Sequence, residues 1–352
     1  MGLTESEHIS KILIDPHDSQ TVYIAAEGPL WSSGGERGVY KTTDGGQTWI
    51  RSLEIGADTG VTDLSMDQEN PDILYAAAYQ RRRSVAAFMA GGPESGIYKT
   101  TDGGDSWKEL TVGLPRGDMG RIGLAVSLFD PRVVYATIEA SEKERGFYRS
   151  GDRGESWEKR SSYISGGTGP HYYQEIYADP HAFDRVYQMD VWTHVTTDGG
   201  KTWNRLNEAH KHSDNHALAF IPDDPDYLLA GNDGGLYQSW DRGESWTYIA
   251  NLPVTQFYKM ALDNAEPFYN VHGGTQDNSS QMGPSRTLNV NGIRNSDWFI
   301  TTGADGYACA IDPEDPNIIY AETQNGNLNR FDRKSGELVG IQPAEQPEDE
   351  PY

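Results

Sequence analysis

Three aspartates stand in polar, irregular stretches of the sequence, where carboxyl groups could do acid–base chemistry. They are Asp214, Asp277 and Asp305, the candidate catalytic residues. One carboxyl group acting as acid and a second acting as base or nucleophile, roughly 5–10 Å apart, can hydrolyse a glycosidic bond. The alternative is that each aspartate accepts hydrogen bonds within its own turn, as Asp233 can in Asn232-Asp233-Gly234-Gly235. Both interpretations stay open at this point.

Aromatic, basic and amide side chains in the same stretches could bind a ligand. Aromatic rings stack on sugar rings, and guanidinium groups form paired hydrogen bonds with carboxylates. The rings could instead pack between loops. The candidate binding residues are Trp31, Arg121, Tyr172, Tyr173, His216, Asp233, Gln276, Asn278 and Arg286.

The stretch from His210 to His216 offers imidazole and carboxylate groups that could hold a metal ion. In an extended backbone, His212, Asp214 and His216 would lie on one side. The spacing matches no strong zinc motif, so we predict no metal site. The sequence also contains no glycine-rich phosphate loop and no nucleophile elbow, so we predict no cofactor.

Five copies of one phrase, Ser/Thr-x-Asp-x-Gly-x-Ser/Thr-Trp, recur along the chain. In a hairpin turn of this type the aspartate accepts backbone hydrogen bonds, the glycine supplies a positive φ, and the tryptophan starts the next strand. Each loop offers one carboxylate, whereas a calcium site needs several oxygen ligands, so we predict a structural role. The five structural aspartates are Asp44, Asp102, Asp152, Asp198 and Asp241.

A second phrase, a hydrophobic strand, an Asp/Pro-type turn and a strand with an aromatic residue, recurs seven times. Its fifth copy has the turn at Asp224-Pro225, the sixth unit is irregular between Val271 and Trp298, and the first strand of the seventh copy begins at Tyr307. Alternation of the two phrases predicts four antiparallel strands per unit, at a period typical of propeller blades. We therefore predict an all-β fold over residues 1–343, a β-propeller of about seven four-stranded blades that is complete or part of a larger ring. A solenoid of β-hairpins is the alternative. The predicted blades are 8–53, 61–110, 121–160, 172–206, 215–250, 256–301 and 305–342.

The topology of a propeller sorts its connections between two faces. Turns between the first and second strands of a blade, and between the third and fourth, lie on one face. The Asp boxes and Asp/Pro turns are short and belong there. Connections between the second and third strands, and between blades, lie on the other face, which we call the loop face. The candidate site residues fall in these longer segments, and binding sites in such scaffolds usually lie in variable loops.

Composition excludes several classes of partner. The chain has 53 acidic and 29 basic residues, a net charge of −24, and such a surface repels phosphate backbones, so we predict no nucleic-acid partner. No stretch approaches the ~20 apolar residues of a membrane helix, so we predict no membrane partner. The single cysteine, Cys309, allows no internal disulfide. The N-terminal residues show no signal-peptide pattern.

The boxes resemble the BNR/Asp-box repeats of sialidases, xyloglucan-cleaving glycoside hydrolases and sortilin-type receptors. Several further phrases resemble a family of large bacterial proteins labelled glycosyl hydrolase or sortilin N-terminal-like. This resemblance implies a propeller that is an internal piece of a longer protein, with residues 344–352 as an acidic tail or the start of a further segment. The phrases span residues 80–83, 91–96, 117–124, 214–218, 273–278, 283–287 and 295–299.

The resemblance implies a glycan-directed propeller, either a glycoside hydrolase or a carbohydrate-binding protein, similar to the xyloglucan-cleaving enzymes. The alternative is a sortilin-like module that binds a peptide or protein without catalysis, and a purely structural role is a third. Sialidase activity ranks low because no conventional sialidase motif precedes the boxes. The expected partners are a polysaccharide or peptide on the loop face and the rest of a longer parent chain. The expected location is secreted or periplasmic.

Overall fold

The computed structural model describes residues 2–164, 172–252 and 254–343. Over these ranges the chain forms strands and two short 3₁₀ turns, Asn295–Asp297 and Gln324–Gly326, and no α-helix. It divides into two compact units, Met1–Tyr248 and Ile249–Tyr352. The predicted acidic tail, 344–352, lies outside the described residues. Among the described residues, no helix has the length and apolar character needed to cross a membrane.

The first unit contains five antiparallel sheets, and strands that follow each other in the chain lie side by side in each sheet. The second sheet carries one additional strand, β7, which pairs only with the end of β6. The strands, sheet by sheet, are β1 Ile9–Ile14, β2 Val22–Ala26, β3 Gly38–Thr42 and β4 Ile50–Leu53; β5 Thr59–Met66, β6 Leu74–Arg83, β7 Phe88–Ala90, β8 Gly96–Thr100 and β9 Lys108–Leu110; β10 Ile122–Val126, β11 Val134–Ile138, β12 Gly146–Ser150 and β13 Glu158–Ser161; β14 Ile176–Ala178, β15 Val186–Gln188, β16 His194–Thr196 and β17 Asn204–Arg205; β18 Asn215–Ile221, β19 Asp224–Asn232, β20 Gly235–Ser239 and β21 Thr247–Tyr248.

The second unit contains two further four-stranded antiparallel sheets of the same order. A series of four-stranded meanders along one chain is the architecture of propeller blades. The prediction of an all-β propeller with seven blades is confirmed. The strands are β22 Lys259–Leu262, β23 Asn270–Gly274, β24 Ser280–Pro284 and β25 Phe299–Thr302; β26 Cys309–Ile311, β27 Ile318–Thr323, β28 Asn327–Asp332 and β29 Glu337–Gly340.

Two details of the predicted strands are wrong. In the fifth sheet, Ile221 pairs with Asp224, so the turn between the first two strands lies before Asp224. The predicted turn at Asp224-Pro225 is instead the start of the second strand. In the sixth sheet, the stretch interpreted as irregular contains the third strand, Ser280–Pro284. Glycine and proline within this strand hide it from a pattern based on β-propensity.

Hydrophobic clusters fill the space between consecutive sheets of the first unit. Buried side chains of the second and third sheets, including Tyr75, Leu124 and Trp157, form one such cluster. Equivalent clusters join the first sheet to the second, the third to the fourth and the fourth to the fifth. Burial of large apolar side chains between sheets is the main favourable contribution to folding. It also explains why a sheet of this kind is not stable alone.

The recurring tyrosines and tryptophans also form hydrogen bonds between neighbouring sheets. The hydroxyl of Tyr23, in the first sheet, donates to the carbonyl oxygen of Gly103 in the box of the second sheet, at 2.8 Å. The hydroxyl of Tyr75 donates in the same way to Arg153 of the next box, at 2.9 Å. In the reverse direction, Nε1 of Trp107 donates to Ser52 Oγ at 2.9 Å. Buried Tyr and Trp need such partners, so both repeated phrases have an inter-sheet role.

The five Asp boxes share one hydrogen-bonding pattern, which the second box illustrates. Oδ1 of Asp102 accepts from Thr100 Oγ1 at 2.7 Å and from the backbone amide of Ser106 at 2.9 Å, and Oδ2 accepts from Ser106 Oγ. Thr100 Oγ1 in turn accepts from the amide of Gly104, whose φ of 89° suits glycine. Among the described residues, the contacts of each box carboxylate lie within its own turn and suit a structural role.

Acid should weaken these turns. The hydroxyl of Ser106, then that of Thr100, then the amide of Ser106 lower the pKa of Asp102 to about 2. A carboxyl group with a lowered pKa in the folded state stabilises fully above its unfolded pKa of about 4, and this stability is lost as the pH falls toward 2. We expect the melting temperature to be nearly constant from pH 7 to about 5 and to fall steeply between about pH 4 and 2. Circular dichroism melts measure this.

The variant Asp102→Asn is the control for this pH dependence. It should melt at a lower temperature than the parent at pH 7 and lose less on acidification, because one titrating group is gone. A parent melting temperature that is unchanged down to pH 2 would contradict the role given to the box carboxylates.

Candidate functional site

The loop face of the first unit carries most of the predicted site residues. Segments 27–37, 84–95, 139–145 and 189–193 connect second to third strands, and 54–58, 111–121 and 206–214 connect sheets. The Asp boxes lie at the opposite ends of the same sheets. The predicted residues on this loop face are Trp31, Arg121, Tyr172, Tyr173, Asp214, His216 and Asp233.

Arg286 does not lie on a loop face. The segment that contains it, residues 285–298, connects β24 to β25, the third and fourth strands of the sixth sheet. That connection lies at the end of the sheet where the other sheets carry their boxes. The predicted placement of Arg286 is therefore wrong. Without the strand Ser280–Pro284, the segment that contains Arg286 counts as a connection between second and third strands, which would lie on the loop face.

Asp214 accepts hydrogen bonds from two hydroxyl groups at the start of the fifth sheet. Tyr173 Oη donates to Asp214 Oδ1 at 2.7 Å, and Ser213 Oγ donates to Oδ2 at 2.6 Å. Tyr173 is 2% exposed. Burial, together with the bond to Asp214, raises the pKa of Tyr173, so its phenol remains a donor at neutral pH. Asp214 is thereby fixed as an acceptor beside a rigid ring.

His216 and Asp233 extend this arrangement toward solvent. The His216 ring stacks on Tyr173 with centroids 5.2 Å apart and an interplanar angle of 22°. Its Nε2 lies 3.0 Å from Asp233 Oδ1. We call Tyr173, Asp214, His216 and Asp233 the Asp214 cluster. Tyr172, 51% exposed, lies beside it with its ring centroid 5.9 Å from that of Tyr173.

The Asp214 cluster offers hydrogen-bonding groups to a polar molecule. Two carboxylates and an imidazole provide hydrogen-bond acceptors, and the exposed ring of Tyr172 provides an apolar face. Pyranose rings combine hydroxyl donors with an apolar face of C–H groups, which is the complement of such a surface.

The guanidinium group of Arg121 forms hydrogen bonds with other groups of the protein. Its Nη1 donates to the carbonyl oxygen of Tyr172 at 3.0 Å, and its Nη2 donates to Glu175 Oε1 at 2.6 Å. Its backbone amide donates to Glu139 Oε2 at 3.1 Å. Arg121 therefore positions the segment that carries Tyr172. This role differs from the predicted one, in which its guanidinium group binds a ligand directly.

Trp31 is presented at the tip of segment 27–37 with 61% of its surface exposed. The guanidinium carbon of Arg83 lies 6.0 Å from the Trp31 ring centroid and 4.8 Å from that of Phe88. These cation–π contacts hold Arg83 between the two rings. Trp31 therefore has a defined stacking partner and a broad exposed surface.

In the second unit, Asp277 and Asp305 lie together on the loop face. The backbone amide of Asp277 donates to Asp305 Oδ1 at 2.5 Å, and Gln324 Nε2 donates to Asp305 Oδ2. The Asp305 amide donates to Gln324 Oε1 at 3.2 Å. The Asp305 carboxylate thus joins three connections: 275–279, 303–308 and 324–326. Gln276 accepts from the hydroxyl of Tyr258, and the side-chain amide of Asn278 donates to the carbonyl oxygen of Gln276 at 3.0 Å.

The histidines of the stretch 210–216 do not converge on a metal site. His212 Nδ1 lies 2.9 Å from the carbonyl oxygen of Ser213, while His216 faces Asp233. Over the described ranges, no group of three or more His, Cys, Asp or Glu side chains could hold a metal ion.

Several important residues were missed from the sequence. Lys11 and Asp63 lie in the first strands of the first two sheets, and Glu175 directly precedes the first strand of the fourth. They line a cavity of about 40 Å³ that could hold a water molecule but not a sugar ring. No sequence motif marks them. Tyr307, predicted to lie in a strand, is instead in the connection before β26 and 47% exposed.

Comparisons with known proteins show what the chain is similar to. The model of the family Sortilin-Vps10 (sortilin, neurotensin receptor 3) matches residues 145–310. The probable oligoxyloglucan-reducing end-specific xyloglucanase of Neosartorya fischeri is 22% identical over 317 residues, which cover 83% of this chain and 34% of that protein. The chain therefore spans about a third of the length of this relative. These matches confirm the resemblance to BNR-type propellers related to sortilin and to xyloglucanases.

Similar solved structures include PorZ and a GH74 xyloglucanase. PorZ, a surface component of the type-IX secretion system of Porphyromonas gingivalis, has a TM-score of 0.52 at 12% identity, over 97% of this chain and 40% of that chain. The GH74 xyloglucanase of Xanthomonas campestris has a TM-score of 0.43 at 14% identity, over 97% of this chain and 58% of that one. The likeness to PorZ concerns the fold alone.

Proposed function

We propose that the first unit is a glycan-binding module and that its ligand lies on Tyr172 and the Asp214 cluster. The observation that carries this proposal is an exposed tyrosine ring, 51% accessible, beside two carboxylates and an imidazole on the loop face. The relation to xyloglucanases supports a glycan as the ligand class. An extracellular or periplasmic location of the parent protein is part of the same proposal.

Charge favours a neutral or cationic glycan over an acidic one. The chain carries a net charge of −24, and the two carboxylates of the cluster would repel a uronate or sulfate. Neutral sugar hydroxyls can donate to Asp214 and Asp233 without such repulsion. Among the glycans that charge allows, the relation to a xyloglucanase favours a neutral xyloglucan segment as the proposed ligand.

Binding is better supported than hydrolysis. A glycosidase needs a protonated carboxyl group that can donate to the leaving oxygen. Asp214 accepts from two hydroxyls, and Asp305 accepts from a backbone amide and an amide side chain. We keep hydrolysis of the bound glycan by Asp214, Asp277 and Asp305 as a second, more specific proposal. Replacing each of the three aspartates with asparagine tests it. Release of reducing ends that is equal in the parent and all three variants would remove them from the mechanism.

Replacing Tyr172 with alanine should weaken glycan binding about tenfold, because a stacking aromatic contributes roughly 1 kcal/mol beyond its buried area. Isothermal titration with xyloglucan oligosaccharides measures this effect. Asp214→Asn should also weaken binding, since it removes the charge from a hydrogen-bond acceptor.

Phe129→Ala is the matched control. Phe129 is 58% exposed and lies in the turn between β10 and β11, at the box end of the third sheet. Its loss should leave affinity unchanged. Equal affinity in the parent and in Tyr172→Ala would refute the proposed site, and no heat with any oligosaccharide would refute the ligand class.

A peptide-binding role is the second candidate, and the match of the sortilin family model to residues 145–310 favours it. The same titrations with a library of unstructured peptides distinguish the two. Tight binding of a peptide that Tyr172→Ala weakens, without glycan binding, would assign the loop face to peptide recognition.

A further inference from the structure

The second unit contains an open depression whose lining includes neither Tyr172 nor any residue of the Asp214 cluster, although Asp305, a candidate for catalysis, is one of its lining residues. It has a volume of about 280 Å³ and lies on the loop face of the sixth and seventh sheets. Two tyrosines form its walls, Tyr258 and Tyr307, with ring centroids 5.8 Å apart and an interplanar angle of 58°. They are 46% and 47% exposed, so both rings present surface to the depression.

The polar lining of the depression has one sign of charge. Asp305 and Glu322 contribute carboxylates, and Thr323, Gln324 and Asn325 contribute neutral groups. Of the described residues that line it, none is basic. Two acidic residues in this lining make the local environment favourable to a cation. A cation is attracted both by these carboxylates and by the faces of the two rings.

The walls are held in place before any ligand arrives. The Tyr307 amide donates to the carbonyl oxygen of Glu322 at 3.1 Å, and the Tyr258 amide donates to that of Gly274 at 2.8 Å. The Tyr258 hydroxyl donates to Gln276, and Asp305 and Gln324 pair reciprocally. Ala304 holds a φ of 63°, a left-handed conformation that an alanine adopts only when its surroundings enforce it. A preorganised site loses less entropy on binding.

We propose that this depression binds an organic ammonium group, which enters the angle between Tyr258 and Tyr307 and faces Asp305 and Glu322. Tyrosine faces attract ammonium ions through their quadrupoles, and quaternary ammonium ligands are commonly held between aromatic rings. The group can come from a free quaternary ammonium compound or from a primary amine such as a lysine side chain. A neutral sugar would lose the charge attraction and is an alternative that the experiment excludes or supports.

Titration of the full chain with tetramethylammonium chloride, at constant ionic strength and with ligand-observed NMR as readout, tests the proposal. Its neutral isostere, tert-butanol, is the reference probe. We expect saturable binding of tetramethylammonium and at least about fivefold weaker binding of tert-butanol. A parallel titration with n-butylammonium distinguishes the sources: tighter binding of the primary amine indicates a lysine-like ligand, and tighter binding of tetramethylammonium indicates a quaternary one.

Variants assign the binding to the depression. Tyr307→Leu should weaken tetramethylammonium about fivefold, and Glu322→Gln should weaken both cations without affecting tert-butanol. The matched control is Tyr269→Leu, because Tyr269 is 48% exposed and lies in the connection between β22 and β23, at the other end of the sixth sheet. Melting temperatures within the error of the parent establish that each variant is folded.

Three results would overturn the proposal. The first is equal affinity for tetramethylammonium and tert-butanol. The second is tetramethylammonium binding by Tyr307→Leu that is as tight as binding by the parent. The third is binding of methyl glucoside that depends on Tyr307 while neither cation binds. None of them bears on glycan binding by the first unit, which depends on other residues and is measured with Tyr172→Ala.

Discussion

Replacing Asp63 with alanine is expected to lower the free energy of unfolding of the first unit by about 2–4 kcal/mol, because two buried backbone amides lose their acceptor. The Asp63 side chain is 12% exposed. Its Oδ2 accepts from the amide of Leu124 at 2.8 Å, and its Oδ1 accepts from the amide of Leu64 at 2.9 Å. Lys11 Nζ lies 3.5 Å from the same Oδ1. One carboxylate therefore joins the innermost strands of three sheets.

The loss has two causes. Two backbone amides, one of them on the adjoining sheet, are left without acceptors, and each such group costs about 1–3 kcal/mol. Lys11 loses its countercharge as well. Asp63 raises the pKa of Lys11, so the lysine is charged at neutral pH; with 35% of its side chain exposed it keeps partial hydration in the variant, and this second cause is the smaller one. Urea unfolding followed by circular dichroism measures the change.

Lys11→Met separates the two causes. It removes the cation and keeps both amide hydrogen bonds, so its cost should be clearly smaller than that of Asp63→Ala. The double variant should lose less free energy of unfolding than the sum of the losses of the two single variants. When Lys11 is absent, Asp63→Ala leaves no lysine without its countercharge. Strict additivity, or a loss below about 1 kcal/mol for Asp63→Ala, would contradict the proposed role.

The fold could be predicted because its repeated phrases are inter-sheet contacts as well as turns. Tyr23 and Tyr75 bond to the following boxes, and Trp107 bonds to the preceding sheet. Every unit needs the same contacts, so the residues recur at the same positions. The sixth sheet lacks a box, and there the pattern failed: its third strand was missed, and Arg286 was assigned to the wrong end.

The candidate site was only partly predictable. Asp214, Tyr173, His216 and Asp233 were each selected, but the stacking of His216 on Tyr173 depends on the distance between the fourth and fifth sheets, which no local pattern encodes. Asp63 and Lys11 lie in strands and carry no motif. Arg37 was overlooked because an arginine before a strand usually indicates a solvated position.

Arg37→Leu is expected to destabilise the first unit by about 3 kcal/mol and to release segment 27–37, which carries Trp31. Arg37 is 2% exposed, and its guanidinium donates to four backbone carbonyl oxygens: Glu27 at 2.6 Å, Ser32 at 2.9 Å, Gly34 at 3.0 Å, and Pro29. Leucine fills part of the volume but satisfies none of these acceptors. Hydrogen bonds from charged donors contribute about 1.5–3 kcal/mol each, and part of this cost is recovered when the freed carbonyls reach water.

The consequence for Trp31 distinguishes this prediction from a general loss of stability. In Arg37→Leu, amide hydrogen exchange should accelerate much more within residues 27–37 than in the third and fourth sheets, since the four bonds are confined to that segment. Arg37→Lys should behave almost like the leucine variant, because an ammonium cannot reach four carbonyls arranged around a planar guanidinium. The matched control is Arg51→Leu, since Arg51 is 38% exposed on the same sheet and forms an ion pair with Glu54. Uniform acceleration of exchange throughout the unit, or protection of 27–37 equal to that of the parent, would show that segment 27–37 does not depend on Arg37.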